Sequence, residues 1–126
     1  MITPVFAAVL SLMFIFLSVR TLRLRRRLKI PVGDTGNLEM LRAVRAHGNF
    51  AEYVPLTLLL IYFVEQAQAQ SWLVYSMGLM LTLGRLSHSY GVSQLNENFT
   101  FRVFGMACTF NTIGISALYL FYSRFF

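Results

Sequence analysis

Cysteine is nearly absent from this chain, since Cys108 is the only one among its 126 residues. A single cysteine cannot form an intrachain disulfide, and even a minimal metal or redox motif of the CxxC kind needs two. The sequence also has no internal repeat, no low-complexity tract and no glycine-rich phosphate loop. We therefore expect no metal site, and we expect Cys108 to be a small packing residue.

Acidic residues are scarce as well: five Asp and Glu stand against 11 Lys and Arg, a formal net charge of +6. Six of the basic residues fall in the run RTLRLRRRLK at 20–29. Such a run can bind nucleic acid, but beside a membrane helix it is typical of a cytoplasmic loop and can contact anionic headgroups. We predict no nucleic-acid partner, loops 1 and 3 in the cytoplasm, and both termini outside with the Lys- and Arg-free loop 65–70.

Charge is missing altogether from four stretches, residues 1–19, 53–64, 72–84 and 103–123. The chain is 56% hydrophobic with a mean hydropathy of +0.59, more apolar than a soluble domain of this size. A bilayer core takes about 20 residues of helix. We therefore predict an all-α integral membrane protein, one domain over residues 1–126. Its spans should lie at about 2–20, 38–64, 72–90 and 102–123 in an antiparallel four-helix bundle.

The first stretch lacks two features that would change its interpretation. No basic residues precede its apolar run and no small-residue cleavage pattern follows, so we interpret it as a retained helix and not as a signal peptide. It also has no acidic residue. Small multidrug exporters have four helices and a similar length, but they depend on a buried acidic residue in helix 1, which argues against a transporter.

Polar residues concentrate at the start of the second predicted helix. Arg45, Asn49 and Glu52 lie within about 60° of one another on one face, Tyr53 flanks that face, and His47 points nearly the opposite way. A charge at the centre of a span costs about 2.5–3.5 kcal/mol, so we expect these residues to have a structural or functional role that offsets this cost. Because Arg45 and Glu52 are seven residues apart, we expect them not to satisfy each other. That favours a ligand or a network over an ion pair that only ties helices together.

The third and fourth helices add ionisable residues at the same membrane level. Arg85 and His88 share a face near the end of the third helix, Tyr90 follows them, and Arg102 opens the fourth. A single arginine at a helix end is typical of an interfacial anchor. A set drawn from three helices is less easily explained that way, and its five members are Arg45, Glu52, Arg85, His88 and Arg102.

This combination of side chains suits a small ligand with carboxylates, an ammonium and amides. Arginine binds carboxylates bidentately, Glu52 can take an ammonium, and Asn49 offers an amide donor and acceptor. Glutathione has these groups and a thiol that is mostly protonated at neutral pH. Because an arginine stays charged, Arg102 can stabilise the thiolate. We predict a glutathione-dependent enzyme of the transferase or peroxidase type, with glutathione as co-substrate and a lipophilic electrophile.

The segment RAHGNFAEYVP at 45–55 resembles the helix-2 signature of the MAPEG family, the membrane-associated proteins in eicosanoid and glutathione metabolism. The likeness covers the whole chain: a basic loop follows the first helix, Arg85 and His88 form an RxxH stretch, and Arg102 begins the fourth helix. The chain is most similar to small bacterial members, so we expect a bacterial inner membrane.

The resemblance implies a homotrimer of four-helix subunits with glutathione bound between neighbours, and Arg102 as the residue that activates the thiol. It implies glutathione contacts from one subunit and its neighbour, namely Arg45, Asn49, Glu52, Tyr53, His88 and Tyr90 from the first and Arg20, Arg23 and His47 from the second. Some relatives have tyrosines on the third helix where this chain has His88 and Val92, which leaves both the helix-3 contacts and the electrophile open. A non-catalytic lipid-binding or scaffold protein on the same fold is the alternative.

Overall fold

The computed structural model describes all residues from Met1 to Phe126, and its regular structure is entirely helical. The four helices are α1 (Thr3–Leu28), α2 (Leu38–Gln66), α3 (Ser71–Ser93) and α4 (Phe99–Phe125). Hydrogen bonds join residues 3 and 65, 42 and 92, and 87 and 101, so successive helices are antiparallel. The predicted all-α, four-helix architecture is confirmed.

Asparagine caps begin the two helices that carry most of the polar residues. The side-chain oxygen of Asn37 accepts a hydrogen bond from the N–H of Met40, at 2.9 Å, and α2 starts at the next residue. Asn98 accepts in the same way from Thr100, at 3.0 Å, before α4. A cap of this kind satisfies a backbone donor that has no partner inside the helix, and it fixes the residue at which each helix starts.

At the start of α1, a side chain from another helix accepts the hydrogen bonds of the backbone N–H groups instead. The carboxylate of Glu65, near the end of α2, accepts from the backbone N–H groups of Ile2 and Thr3. Burial raises the pKa of Glu65, but these hydrogen bonds outweigh it and leave the pKa below its ordinary value. The contact holds the end of α2 against the start of α1, at the end of the bundle that carries the loop 65–70.

The two middle helices form the centre of the bundle. Both α1 and α4 pack against α2 and α3, and they do not contact each other. The largest buried apolar cluster accordingly comes from α1, α2 and α3, and it consists of Leu10, Leu17, Ala46, Phe50, Val54, Ile61, Val64, Val74, Met77, Leu81 and Val92. Helix α4 contributes almost no large side chain to the core.

Small residues bring α3 and α4 close together. A Cβ placed on Gly105 would lie 2.4 Å from the carbonyl oxygen of Gly84 and 2.5 Å from the Cβ of His88. The buried face of α4 continues with small hydroxyl residues, each of which donates to the carbonyl four residues earlier: Thr109, Thr112 and Ser116. Close backbone approach at small residues is typical of helix packing in membranes. This close approach determines the distance between the side chains that α3 and α4 contribute to the site.

The exterior of the bundle is apolar. Helices α1 and α4 are long and hydrophobic enough to cross a membrane, with mean hydropathies of 2.2 and 1.5 in their most apolar windows, and under a quarter of those windows is buried. The core helix of a soluble protein would be mostly buried, so these faces require lipid or a partner. Helices α2 and α3 do not reach this level, because α2 carries charged residues and α3 contains Arg85 and His88 beside several Ser and Gly residues.

Candidate functional site

A polar cleft opens at the end of the bundle where α2 starts, α3 ends and α4 starts. Its volume is about 190 Å³. We call it the arginine cleft, and it is lined by Leu38, Leu41, Arg42, Arg45, Asn49, His88, Val92, Glu97 and Arg102. Four of these residues belong to the set predicted from the sequence to contact or activate glutathione. The structure therefore gathers Arg45, Asn49, His88 and Arg102 from three helices around one cavity.

A buried glutamate ties two of the arginines together. Oε1 of Glu97 lies 3.0 Å from Nη1 of Arg102 and 3.2 Å from Nη1 of Arg42, and the Glu97 side chain is only 6% exposed. Burial raises the pKa of the Glu97 carboxyl, but the hydrogen bonds from Arg42 and Arg102 outweigh this and hold the pKa below its ordinary value. The carboxylate is therefore ionised at neutral pH, and the cleft keeps an excess of positive charge.

Behind the cleft wall, Arg85 fixes the orientation of an amide. Its side chain is fully buried, and it donates from Nη2 to Oδ1 of Asn49 at 2.7 Å. Because a guanidinium can only donate, this contact identifies the accepting atom of Asn49 as its oxygen. The NH₂ group of Asn49 is left without a protein acceptor and is the part available to a ligand. Arg85 belongs to none of the chain's ion pairs.

Three residues of the cleft carry buried polar atoms that no protein group satisfies. They are Nε of Arg42, Nδ1 of His88 and Oε2 of Glu97. Buried polar atoms in proteins almost always have a partner, and leaving one without costs about 1–3 kcal/mol. Their concentration around one cavity indicates that a ligand or ordered water completes the hydrogen bonding there.

The expectation that Arg45 and Glu52 do not pair was wrong. Their side chains meet, with Nη1 of Arg45 and Oε1 of Glu52 3.6 Å apart, and both are about half exposed. Gly48 lies between them on the same face: a Cβ at Gly48 would be 3.7 Å from that nitrogen and 3.9 Å from that oxygen. With no side chain in between, two long side chains can span two turns of helix. Glu52 is not part of the cleft wall.

Both predicted tyrosines lie away from the cleft. The ring of Tyr53 packs edge-on against Phe110, with centroids 5.6 Å apart. Tyr90 is exposed and packs edge-on against Phe101, at 5.2 Å. Neither tyrosine lines the cavity, so within one chain these two residues form aromatic contacts between helices.

His47 points away from the cleft, as its position on α2 predicted, but it does so toward α1 of the same chain. Its Nε2 lies 3.0 Å from Oγ of Ser18, and its ring stacks on Phe14 with centroids 4.9 Å apart. This intrachain packing accounts for His47 without a second subunit.

Arg20 and Arg23 line a second, open groove. It has a volume of about 820 Å³ and lies between α1, the start of α2 and the α3–α4 loop. Arg20 donates to Oγ of Ser93 at 2.6 Å. These two arginines do not reach the arginine cleft of their own chain. No group of three His, Cys, Asp or Glu side chains is placed to hold a metal ion.

Sequence reasoning did not identify Arg42 and Glu97 as site residues. Arg42 precedes Arg45 by three residues and so lies on the same face of α2, which means that the helical period that grouped Arg45 with Asn49 could have found it. Glu97 lies in the non-helical residues 94–98, where no period indicates a direction. Only the folded chain reveals that its carboxylate turns inward.

Comparison with known proteins agrees with these features. A model of the MAPEG family matches residues 3–122. The chain belongs to the MAPEG family. Two relatives, the inner membrane protein YecN of Escherichia coli K12 and that of Escherichia coli O6:H1, are each 35% identical over 109 residues. The match covers 86% of this chain and 82% of each relative. No solved structure matches the chain.

The family, the relatives and the apolar exterior together assign the chain to a membrane. MAPEG proteins are membrane-associated, YecN is an inner membrane protein by name, and α1 and α4 have the length and hydropathy of membrane spans. The earlier resemblance to MAPEG is thus confirmed. The name YecN specifies no reaction.

Proposed function

We propose that this MAPEG protein is a glutathione-dependent membrane enzyme of the transferase or peroxidase type. The observation that carries the proposal is the arginine cleft, where Arg42, Arg45 and Arg102 surround one cavity. Guanidinium groups bind carboxylates with two parallel hydrogen bonds, and glutathione has two carboxylates. The unpartnered NH₂ group of Asn49 suits an amide carbonyl of the same tripeptide.

Arg102 is the residue we assign to the thiol. It is the most exposed member of the Glu97 ion pairs, with 40% of its side chain accessible, so it can approach a ligand. A nearby cation lowers the pKa of a thiol, and the thiol proton passes to water. The thiolate sulphur then forms a bond to an electrophilic carbon, and the leaving group departs with its electron pair.

The cleft of one chain is too small for the whole ligand, which favours completion of the site by a neighbouring copy, and the MAPEG resemblance implies that the assembly is a homotrimer. Its volume of about 190 Å³ is below the roughly 300–1,000 Å³ usual for small-molecule sites. In the trimer we propose, Arg20 and Arg23 of a neighbouring copy complete the site. We propose that all four helices cross a bacterial inner membrane, with the basic run at 20–29 and the cleft on the cytoplasmic side.

Saturable binding of glutathione to the purified protein tests the proposal. We expect Arg102→Ala to retain binding but to lose the ultraviolet absorbance of the bound thiolate. Arg124→Ala is the matched control, because Arg124 lies exposed in the last turn of the same helix, far from the cleft. The proposal fails if the wild type shows no saturable binding at millimolar glutathione. The role of Arg102 fails if its variant keeps the full thiolate signal.

A second candidate function is non-catalytic lipid binding, favoured by a separate apolar groove. This groove has a volume of about 340 Å³ and lies between α1 and α2, lined mainly by Leu10, Phe14, Ile15, Phe50, Val54 and Leu58. In the enzyme it would admit the lipophilic substrate. Assays with an aromatic halide and with a lipid hydroperoxide separate the two functions, because a lipid-binding protein would turn over neither compound.

A further inference from the structure

Glu97 lines the cleft, and the chemistry proposed above does not use it. It lies in the loop between α3 and α4, yet its side chain is almost completely buried. One oxygen receives both arginines, Arg102 from α4 at 3.0 Å and Arg42 from α2 at 3.2 Å. Burying a charge is costly unless it is paired, so the two arginines are what allow this carboxylate to be buried.

The contact with Glu97 is the only hydrogen bond that holds the guanidinium of Arg102. The guanidinium also lies over the ring of Phe99, with its carbon 5.5 Å from the ring centroid. Arg42 is fixed more firmly, because it also donates to the carbonyl oxygen of Val92 at 3.3 Å. A continuous chain of contacts therefore runs from the end of α3 through Arg42 and Glu97 to Arg102.

We propose that Glu97 is a positioning residue: its carboxylate holds the guanidinium of Arg102 at the cleft and sets how strongly that guanidinium stabilises a ligand's negative charge. The proposal rests on the function proposed above. Glu97 does not touch the reacting sulphur; it acts through Arg102. Arginine side chains have many rotamers, and a fixed guanidinium in place before the ligand arrives is more effective than one that must be ordered on binding.

Charge and position have separable effects at this residue. The negative charge of Glu97 offsets part of the positive charge of Arg102, which weakens its effect on a thiol. The hydrogen bond of Glu97 keeps Arg102 in place. Glu97→Gln removes the charge and keeps an oxygen of the same size that can accept from the guanidinium. Glu97→Ala removes both the charge and the acceptor.

The thiolate absorbance of bound glutathione, measured against pH, distinguishes these effects. For Glu97→Gln we expect the thiol pKa to fall by about one unit with turnover retained. For Glu97→Ala we expect the thiolate signal to decrease and kcat to fall roughly 10- to 100-fold, because the cation is misplaced. If the two variants behave alike, Glu97 acts by charge alone and the positioning role is refuted. A structural role alone would leave the thiol pKa unmoved.

A second readout needs no glutathione. In the ligand-free protein, the side-chain N–H signals of Arg102 in a nitrogen-15 NMR spectrum should be ordered in the wild type and in Glu97→Gln, and averaged in Glu97→Ala. Unchanged signals in Glu97→Ala overturn the proposal. If the wild type binds no glutathione but these signals still change as expected, the proposed function fails and the positioning role stands.

Asp34→Asn is the matched control for both readouts. Asp34 lies in the loop between α1 and α2, where its Oδ1 accepts from the backbone N–H of Gly36 at 2.7 Å, and it lines neither the arginine cleft nor the groove of Arg20 and Arg23. The substitution removes one negative charge and keeps an oxygen that can accept this hydrogen bond, so we expect Asp34→Asn to change neither the thiolate signal nor the order of Arg102. A change of the same size in Asp34→Asn would show that the effects come from net charge and not from position, and it would refute the proposal.

Discussion

The close contact of α3 and α4 gives a sharp test of the fold around the site. In Gly105→Ala the new Cβ would lie 2.4 Å from the carbonyl oxygen of Gly84 and 2.5 Å from the Cβ of His88, where ordinary contact begins at 3.4 Å. Because neither neighbour is the flexible end of a side chain, the helices must separate by about 1 Å. Overpacking of this kind costs about 1–3 kcal/mol, and we expect Gly105→Ala to lower the free energy of unfolding by that amount.

Gly114→Ala is the control within the same helix. A Cβ at Gly114 has no atom within 4 Å, so this substitution should be neutral or stabilise the protein by up to about 1 kcal/mol, through helix propensity alone. Thermal unfolding of both variants in detergent, followed by circular dichroism, measures the difference. Since His88 lies at the contact, Gly105→Ala should also weaken glutathione binding. Equal stability of the two variants would refute the described packing of α3 against α4.

Three further outcomes follow from contacts at the helix ends and around the cleft, each measured by chemical denaturation. Glu65→Ala should cost about 0.5–2 kcal/mol at pH 7. The folded-state pKa of Glu65 is lowered, so its carboxylate contributes fully to the free energy of unfolding above about pH 4.3, and this contribution is lost as the pH falls through the folded pKa. The difference in stability between the wild type and Glu65→Ala should therefore become smaller in acid. A difference that stays constant with pH would contradict this. Asn49→Leu leaves the buried Arg85 without its nearest acceptor and should lower the free energy of unfolding by about 1–3 kcal/mol. Arg85→Met should cost less, because it removes the buried charge together with its donors. A larger loss of stability in Arg85→Met than in Asn49→Leu would be evidence against the assigned hydrogen bond. Arg45→Met breaks only a half-exposed ion pair and should cost less than about 1 kcal/mol while weakening glutathione binding; intact binding would remove Arg45 from the site.

The sequence was sufficient to predict the helices and one face of α2. Missing charge marked the apolar stretches, and the helical period placed Arg45 and Asn49 on one side. These features are local, because each depends only on residues within a few turns. They predicted four helices and a polar cluster at one end of the bundle.

The errors and omissions came from features that are not local. The ion pair of Arg45 and Glu52 depends on the empty position at Gly48, which spacing alone does not reveal. The burial of Glu97 depends on where a loop folds back over α2 and α4. The position of His47 against Phe14 depends on how α1 packs, which follows from the whole bundle. A side chain's direction can be read from a helix, but its partner cannot.

A structure of the protein in a lipid nanodisc with glutathione would test the account most directly. We expect density for the tripeptide in the arginine cleft, with a carboxylate within hydrogen-bond distance of Arg42 or Arg45 and the sulphur beside Arg102. Density for glutathione elsewhere, or an empty cleft at saturating glutathione, would contradict the claim that these side chains form one anion-binding site.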